Sequence, residues 1–337
     1  MSRTILVTGA TGYIAKHLVK QLLDAGYSVV GSVRRENRDA EMRAALGPAL
    51  SDPAALERYR SVVLDLSSED GWDAAMVGVD AVMHTASPFP LVQPKDPDEL
   101  IRPAVDGALR ALRAAHKAGI TDVVFTSSTV AIREAAKTGV TVSEADWSDT
   151  DNPAMTPYAR SKTRAERAAW DFVEKEAPEM RLAVINPSFV IGAPLDENYG
   201  TSIEVIERLY NGKDPMLPRI GFPSCHIEDV ALAHIRALEV PEAAGNRHMI
   251  VDRFLWFSDV ADAVRDAAPK AKPARRIAPN FVIRLLSFVD PSIRTILPQL
   301  GERYDADNAR MREVLGIEPR SASEGAAEAA RWLASRA

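Results

Sequence analysis

Tyr158-Ala159-Arg160-Ser161-Lys162 places a phenol and an ammonium four residues apart. On a helix that spacing puts both on one face. A nearby ammonium favours the phenolate, so the pair predicts a Tyr158 pKa drawn down from about 10 toward neutrality. Such a phenol gives a proton to a carbonyl oxygen or takes one from an alcohol. A helix pair of this kind is also an ordinary surface feature, so its weight depends on the rest of the chain. Val124-Phe125-Thr126-Ser127-Ser128 is a strand-like run that ends in two hydroxyls. Neighbours on a strand point to opposite faces, so Ser127 and Ser128 compete for the position beside the phenol. A hydroxyl there stabilises charge developing on a substrate oxygen.

The elements that must hold these groups begin at the N-terminus. Arg3-Thr4-Ile5-Leu6-Val7 is a short β-branched run ending at Thr8-Gly9-Ala10-Thr11-Gly12-Tyr13-Ile14-Ala15. Ile14, Leu18, Leu22 and Leu23 then recur at helical spacing up to Gly26. The pattern is strand, tight turn, helix. Gly9 and Gly12 permit the turn and let the backbone approach a pyrophosphate seated on the helix N-terminus. Ala15 takes the place where a third glycine often lets helix pack on strand. Further strands are predicted near 28–33, 61–65, 79–84, 122–126 and 181–186, and helices near 68–77, 98–118 and 156–176. This alternation predicts an α/β fold, a parallel doubly wound sheet of Rossmann type. Its ligand crevice lies at the carboxyl ends of the strands, where the strand order reverses.

Together the glycine turn and the Tyr158/Lys162 pair resemble the extended short-chain dehydrogenase/reductase superfamily. Further motifs resemble its branch of dihydroflavonol reductases, cinnamoyl-CoA reductases and aldehyde or ketone reductases. They are Asp65-Leu66, His84-Thr85-Ala86-Ser87-Pro88, Val124-Phe125-Thr126-Ser127-Ser128 and Ile185-Asn186-Pro187-Ser188-Phe189-Val190-Ile191-Gly192. Asp307, Arg310, Leu315-Gly316 and Pro319-Arg320 are similar to the branch's C-terminal pattern. The resemblance implies a catalytic set of Ser128, Tyr158 and Lys162, with Ser127 second to Ser128. It implies cofactor contacts from Gly9, Thr11, Gly12, Tyr13 and Ile14 at the turn, and from Asp65 and Leu66 at the adenine. Thr85, Ala86, Ser87, Pro187 and Val190 would lie further along the cofactor, with Tyr158 and Lys162 at the nicotinamide ribose. Many relatives carry an Asn on the fourth helix, where this chain reads Ala104-Val105-Asp106-Gly107, so a water chain would replace that relay.

The second strand bears on the form of the cofactor. NAD-binding versions usually end it in an acid that accepts from the ribose hydroxyls. Here Val33 stands at that place and Arg34 follows, with Arg35 and Arg38 close behind. A guanidinium pairs with a 2′-phosphate and stacks on the adenine, so NADP(H) is expected. The expected activity is NADPH-dependent reduction of an aldehyde or ketone. The alternatives are a nucleotide-sugar epimerase or dehydratase using NAD, and a binding protein that senses NADP without chemistry.

The expected division is a cofactor domain over residues 1–190, rejoined by about 226–252 through a helix near 228–239 and a strand near 247–251. The substrate lobe would be 191–225 and 253–337. Within it Phe281-Val282-Ile283-Arg284-Leu285-Leu286-Ser287-Phe288-Val289 is expected as a part-buried helix beside the substrate pocket. A single cysteine, Cys225, excludes an intrachain disulfide framework and suits a reducing, cytoplasmic setting. Met1-Ser2-Arg3 runs straight into a strand with no signal-peptide core, and no apolar run reaches membrane-span length. A net charge of -6 argues against nucleic acid. His226, Glu228, Asp229 and His234 form no compact ligand set, so no metal is expected. The partner is a small-molecule carbonyl substrate, and the resemblance implies a monomer or homodimer.

Overall fold

Ile5, Leu6, Val7 and Thr8 are each wholly buried, as is the run from Val184 to Ile185. Strands apolar on both faces belong inside a sheet covered on both sides. The structure, a computed structural model, describes residues 2–87, 96–134, 137–153, 155–289, 291–294 and 296–336. Among them the strands are β1 (Thr4–Thr8), β2 (Ser28–Val33), β3 (Tyr59–Val63), β4 (Ala81–His84), β5 (Asp122–Thr126) and β6 (Thr141–Val142). There follow β7 (Arg181–Pro187), β8 (Phe189–Ile191), β9 (Gly221–His226), β10 (Arg247–Ile250), β11 (Arg253–Trp256) and β12 (Asp305–Ala306).

Seven of these strands form one sheet in the order β10-β7-β5-β4-β1-β2-β3. All its pairings are parallel. The chain runs outward from β1 to β3, then crosses to β4 and proceeds the other way. The order therefore reverses between β1 and β4, and the expected doubly wound sheet is present. The helix Tyr13–Asp24 packs on one face together with Ile227–Glu239, and Asp98–Lys117 packs with Pro157–Glu176 on the other. In the Asp98–Lys117 helix Leu100, Ile101, Ala104, Ala108, Ala111, Leu112 and Ala115 are buried. That three-and-four spacing forms the core-facing stripe of an amphipathic helix.

Two boundaries differ from the sequence reading. The third strand ends at Val63, so Asp65 lies beyond it in a turn where Ser67 N–H donates to its carboxylate at 2.7 Å. The helix expected over 68–77 is only Trp72–Ala75. Gly71 there has φ +84°, a left-handed conformation that stops a helix from starting earlier. The remaining strands make a small sheet β11-β9-β8 and a pair β12-β6. Helices Thr201–Tyr210, Phe257–Ala267 and Ala322–Ala334 pack with one another around the small sheet. The helix Asn280–Leu286 buries Ile283 but leaves Phe281, Leu285, Phe288 and Val289 exposed around it. No described helix is long and apolar enough to cross a membrane.

Candidate active site

The phenol is placed by a helix start. Thr156 caps the helix Pro157–Glu176, its Oγ1 accepting from Ala159 N–H at 3.2 Å. Pro157 takes the first helical position, where its missing N–H costs nothing. Tyr158 therefore sits in the first turn and Lys162 one turn deeper. Ser128 caps the short helix Thr129–Ile132 at the end of β5. Its Oγ accepts from Val130 N–H at 3.3 Å, and its side chain hydrogen-bonds Tyr158. Accepting from Val130 leaves Ser128 Oγ one lone pair and its proton, so either hydroxyl can donate in the Ser128–Tyr158 bond.

Ser127 and Ser128 diverge as the strand alternation requires. Ser127 is buried and donates to Glu166 Oε2 at 2.5 Å, away from the phenol. Ser128 is the hydroxyl beside Tyr158. Lys162 is buried, with Nζ 3.4 Å from Thr126 O. Burial pushes its pKa down to about 8, although Glu166 opposes the shift. Tyr158 corrects the sequence expectation. Burial raises its pKa above the ordinary value, and the Ser128 hydrogen bond pulls only partly the other way. Desolvation of the phenol itself, and not the neighbouring ammonium, sets the direction here. Behind it, burial brings His84 down to about 3, with Lys162 adding to the effect, so that imidazole is neutral.

The glycine turn meets the end of β4. Gly9 has φ +65°, and a methyl group built on it would lie 2.9 Å from Ala86 Cβ. Only glycine serves both conformation and contact. Gly9 N–H donates to Ser32 Oγ at 2.9 Å, and Ala86 N–H donates to Thr8 Oγ1 at 3.1 Å. Thr85 spends its hydroxyl on Thr8 O, 2.5 Å away. Ser87 follows, half-buried; Pro88 lies outside the described residues. Gly12 precedes the helix Tyr13–Asp24 and is exposed, with Thr11 and Ile14 half-buried beside it. Tyr13 is different: its hydroxyl donates to Gly192 O at 2.8 Å, tying the turn to the segment after β8. Its backbone, not its phenol, faces the turn's task.

Along the rest of the crevice, Arg34 and Arg35 are exposed beyond β2. Arg38, half-buried, pairs with Glu41 at 3.0 Å. Asp65 is exposed, with a pKa lowered chiefly by its bonds from Ser67 and less by Arg34. Leu66 packs over Gly107, whose missing side chain leaves it room. Pro187 ends β7 and Val190 lies buried in β8. These features suit a dinucleotide: a glycine cradle that a side chain would fill, cations beyond β2 and a buried ammonium at the phenol.

A cavity of about 520 Å³ opens at the start of the Pro157–Glu176 helix, lined by Arg133, Trp147, Met155, Thr156, Pro157 and Arg294 among others; Ser128, Tyr158 and Lys162 are not in its wall. The exposed apolar residues near 281–289 are not part of its wall, contrary to expectation; they face solvent. Trp147, in that wall, carries the Arg247 guanidinium stacked 3.8 Å from its ring centroid. The histidines considered for a metal are engaged elsewhere. His226 meets Glu328 at 3.1 Å, and His234 lies 2.7 Å from Thr126 Oγ1. Among the described residues no group of three ligands could hold a metal.

Sequence reasoning missed several residues that build the site. Glu166 is wholly buried and receives Ser127, Asn186 and Arg247. Its place four residues after Lys162 was a usable signal. Lys16 is buried in an ion pair with Asp196 at 2.5 Å, and Asn198 donates to Thr11 O at 3.0 Å. These contacts strap residues 196–198 to the glycine turn, and nothing in the local pattern announces them.

The chain belongs to the NAD dependent epimerase/dehydratase family, whose profile matches residues 5–251. Its relatives include a cinnamoyl-CoA reductase of Medicago truncatula, 36% identical over 82% of this chain and 85% of the relative. A ketoreductase of Aspergillus niger is 32% identical over 94% and 93%. Among solved structures, yeast methylglyoxal/isovaleraldehyde reductase complexed with NADPH superposes with a TM-score of 0.81 at 26% identity, covering 99% of both chains.

Proposed function

We propose that this protein reduces an aldehyde or ketone to the alcohol with NADPH, Tyr158 giving the proton. It is an oxidoreductase of the reductase branch, and its cofactor is NADP(H). The observation that carries the catalytic reading is the Ser128–Tyr158 hydrogen bond beside buried Lys162. NADPH, when bound, supplies the hydride. The glycine turn of Gly9 and Gly12 would take its pyrophosphate on the helix N-terminus, and Arg34 and Arg35 its 2′-phosphate. Lys162 would hold the nicotinamide ribose hydroxyls. Ser128 orients the substrate oxygen with its hydroxyl, and Tyr158 transfers its proton to that oxygen as charge develops there. Burial raises the phenol's pKa, so at neutral pH Tyr158 carries the proton it gives. The division into a cofactor domain and a substrate lobe, the cytoplasmic setting, the monomer or homodimer state and the lack of a nucleic-acid partner belong to the same reading. The net charge and the lone buried Cys225 support it.

The test is kcat/KM on a panel of aldehydes and ketones with NADPH and with NADH. Reduction with a clear NADPH preference is expected. Purification with tightly held NAD⁺ and interconversion of nucleotide sugars without net oxidation would replace this reading with the epimerase one.

Lys162 gives a pH prediction. The active form carries a charged Lys162, so reduction should hold steady at neutral pH and fall as pH rises through about 8. In Lys162→Met that limb should vanish, and NADPH should bind roughly ten- to a hundredfold more weakly through loss of a charged hydrogen-bond donor. A variant that keeps both the limb and the affinity would remove Lys162 from the site.

A further inference from the structure

The site contains one buried carboxylate that the proton transfer does not use. Glu166 is fully buried within the helix Pro157–Glu176, four residues beyond Lys162. Its Oε1 accepts from Arg247 Nε at 2.5 Å. Its Oε2 accepts from Ser127 Oγ at 2.5 Å and from Asn186 Nδ2 at 2.9 Å. The Asn186 amide also donates to Ser128 O at 3.2 Å. Two consecutive residues of the turn after β5 are thus gripped, Ser127 by its hydroxyl and Ser128 through its carbonyl. Arg247 anchors the far side, donating to Glu144 O at 3.0 Å and to Asp146 O at 2.5 Å while covering Trp147. Trp147 lines the cavity, so the network links the cavity wall to the catalytic turn.

We infer that Glu166 is a positioning residue of the reaction, a carboxylate that fixes the turn at Ser127 and Ser128 and so aims the Ser128 hydroxyl. The inference rests on the catalytic reading of Ser128 and Tyr158 given above. A second consequence follows for Lys162. The groups facing it are Tyr158 and Glu166 on its own helix, neutral His84 on β4, Thr126 O on β5 and, across Glu166, Arg247 on β10. Glu166 is the anion among them. Without its charge, burial and the unpaired Arg247 act on the ammonium unopposed.

The test compares Glu166→Gln with wild type and Tyr158→Phe in one assay. Glu166→Gln should lower kcat roughly ten- to a hundredfold, the cost of a misplaced catalytic group, with substrate KM and NADPH Kd within about twofold. The alkaline limb of its kcat profile should move to lower pH by about one unit. A purely structural carboxylate would lower Tm and the active fraction and leave kcat per active site and the limb in place; that result overturns the inference. Where Glu166→Gln does not fold, Asn186→Ala keeps the Glu166–Arg247 pair and cuts the link to Ser128 O. A drop in its kcat at constant KM supports the inference, and an unchanged kcat overturns it. If Tyr158→Phe turns over normally, the catalytic reading fails and the inference falls with it. If Tyr158→Phe is dead while Glu166→Gln is unimpaired, the inference alone fails.

Discussion

Tyr158→Phe lowers kcat for carbonyl reduction by ~100- to 10,000-fold, the usual loss on removing a general acid, while NADPH affinity stays near wild type. The ring remains and keeps its packing in the first turn of its helix; only the hydroxyl goes. What goes with it is the phenolic proton, which burial makes harder to lose. Ser128 cannot take over, because an aliphatic hydroxyl is a far weaker acid than a phenol. Single-turnover rates with pre-bound NADPH, beside a fluorescence titration of the cofactor, make the check. Near-wild-type turnover would show that the proton comes from elsewhere and would unseat Tyr158.

Cofactor choice carries the second large effect. Replacing Arg34 and Arg35 together by Ala should cut the preference for NADPH over NADH by roughly ten- to more than a hundredfold. That is the range for losing charge-assisted contacts of ~1.5–3 kcal/mol to a phosphate. Both side chains are exposed beyond β2, so high salt should also weaken the wild-type preference. The measurement is kcat/KM for both cofactors in wild type, Arg34→Ala and the double variant. A wild type that prefers NADH, or a double variant with unchanged preference, would remove these residues from cofactor recognition.

Much of the site is legible in the amino-acid sequence because its signals are local. Gly9 must be glycine for its positive φ, and the strand before it and the helix after it follow from spacing alone. Thr156-Pro157 reads as a helix start, which puts Tyr158 and Lys162 on successive turns. The run of Ser127 and Ser128 at a strand end guarantees that one faces the phenol and the other does not. Arg34 follows directly from where β2 stops.

Other properties depend on chain segments far apart in sequence. Asp196 reaches Lys16 across 180 residues, and Arg247 reaches Glu166 across 81. No local pattern encodes a partner that arrives only when the sheet closes. Tyr13 has the position of a cofactor contact, yet its hydroxyl is spent on Gly192 O. The phenol's pKa is the sharpest case. The spacing of Tyr158 and Lys162 predicts a depressed value, since it counts only the neighbouring charge. The folded chain buries Lys162 and half-buries Tyr158, and desolvation, which depends on everything packed around them, raises the phenol and lowers the amine. Residue types and their spacing thus determined which groups could do the chemistry and the order in which the elements present them. Burial and long-range pairing, which exist only once the chain has closed on itself, decided their protonation and which serine serves.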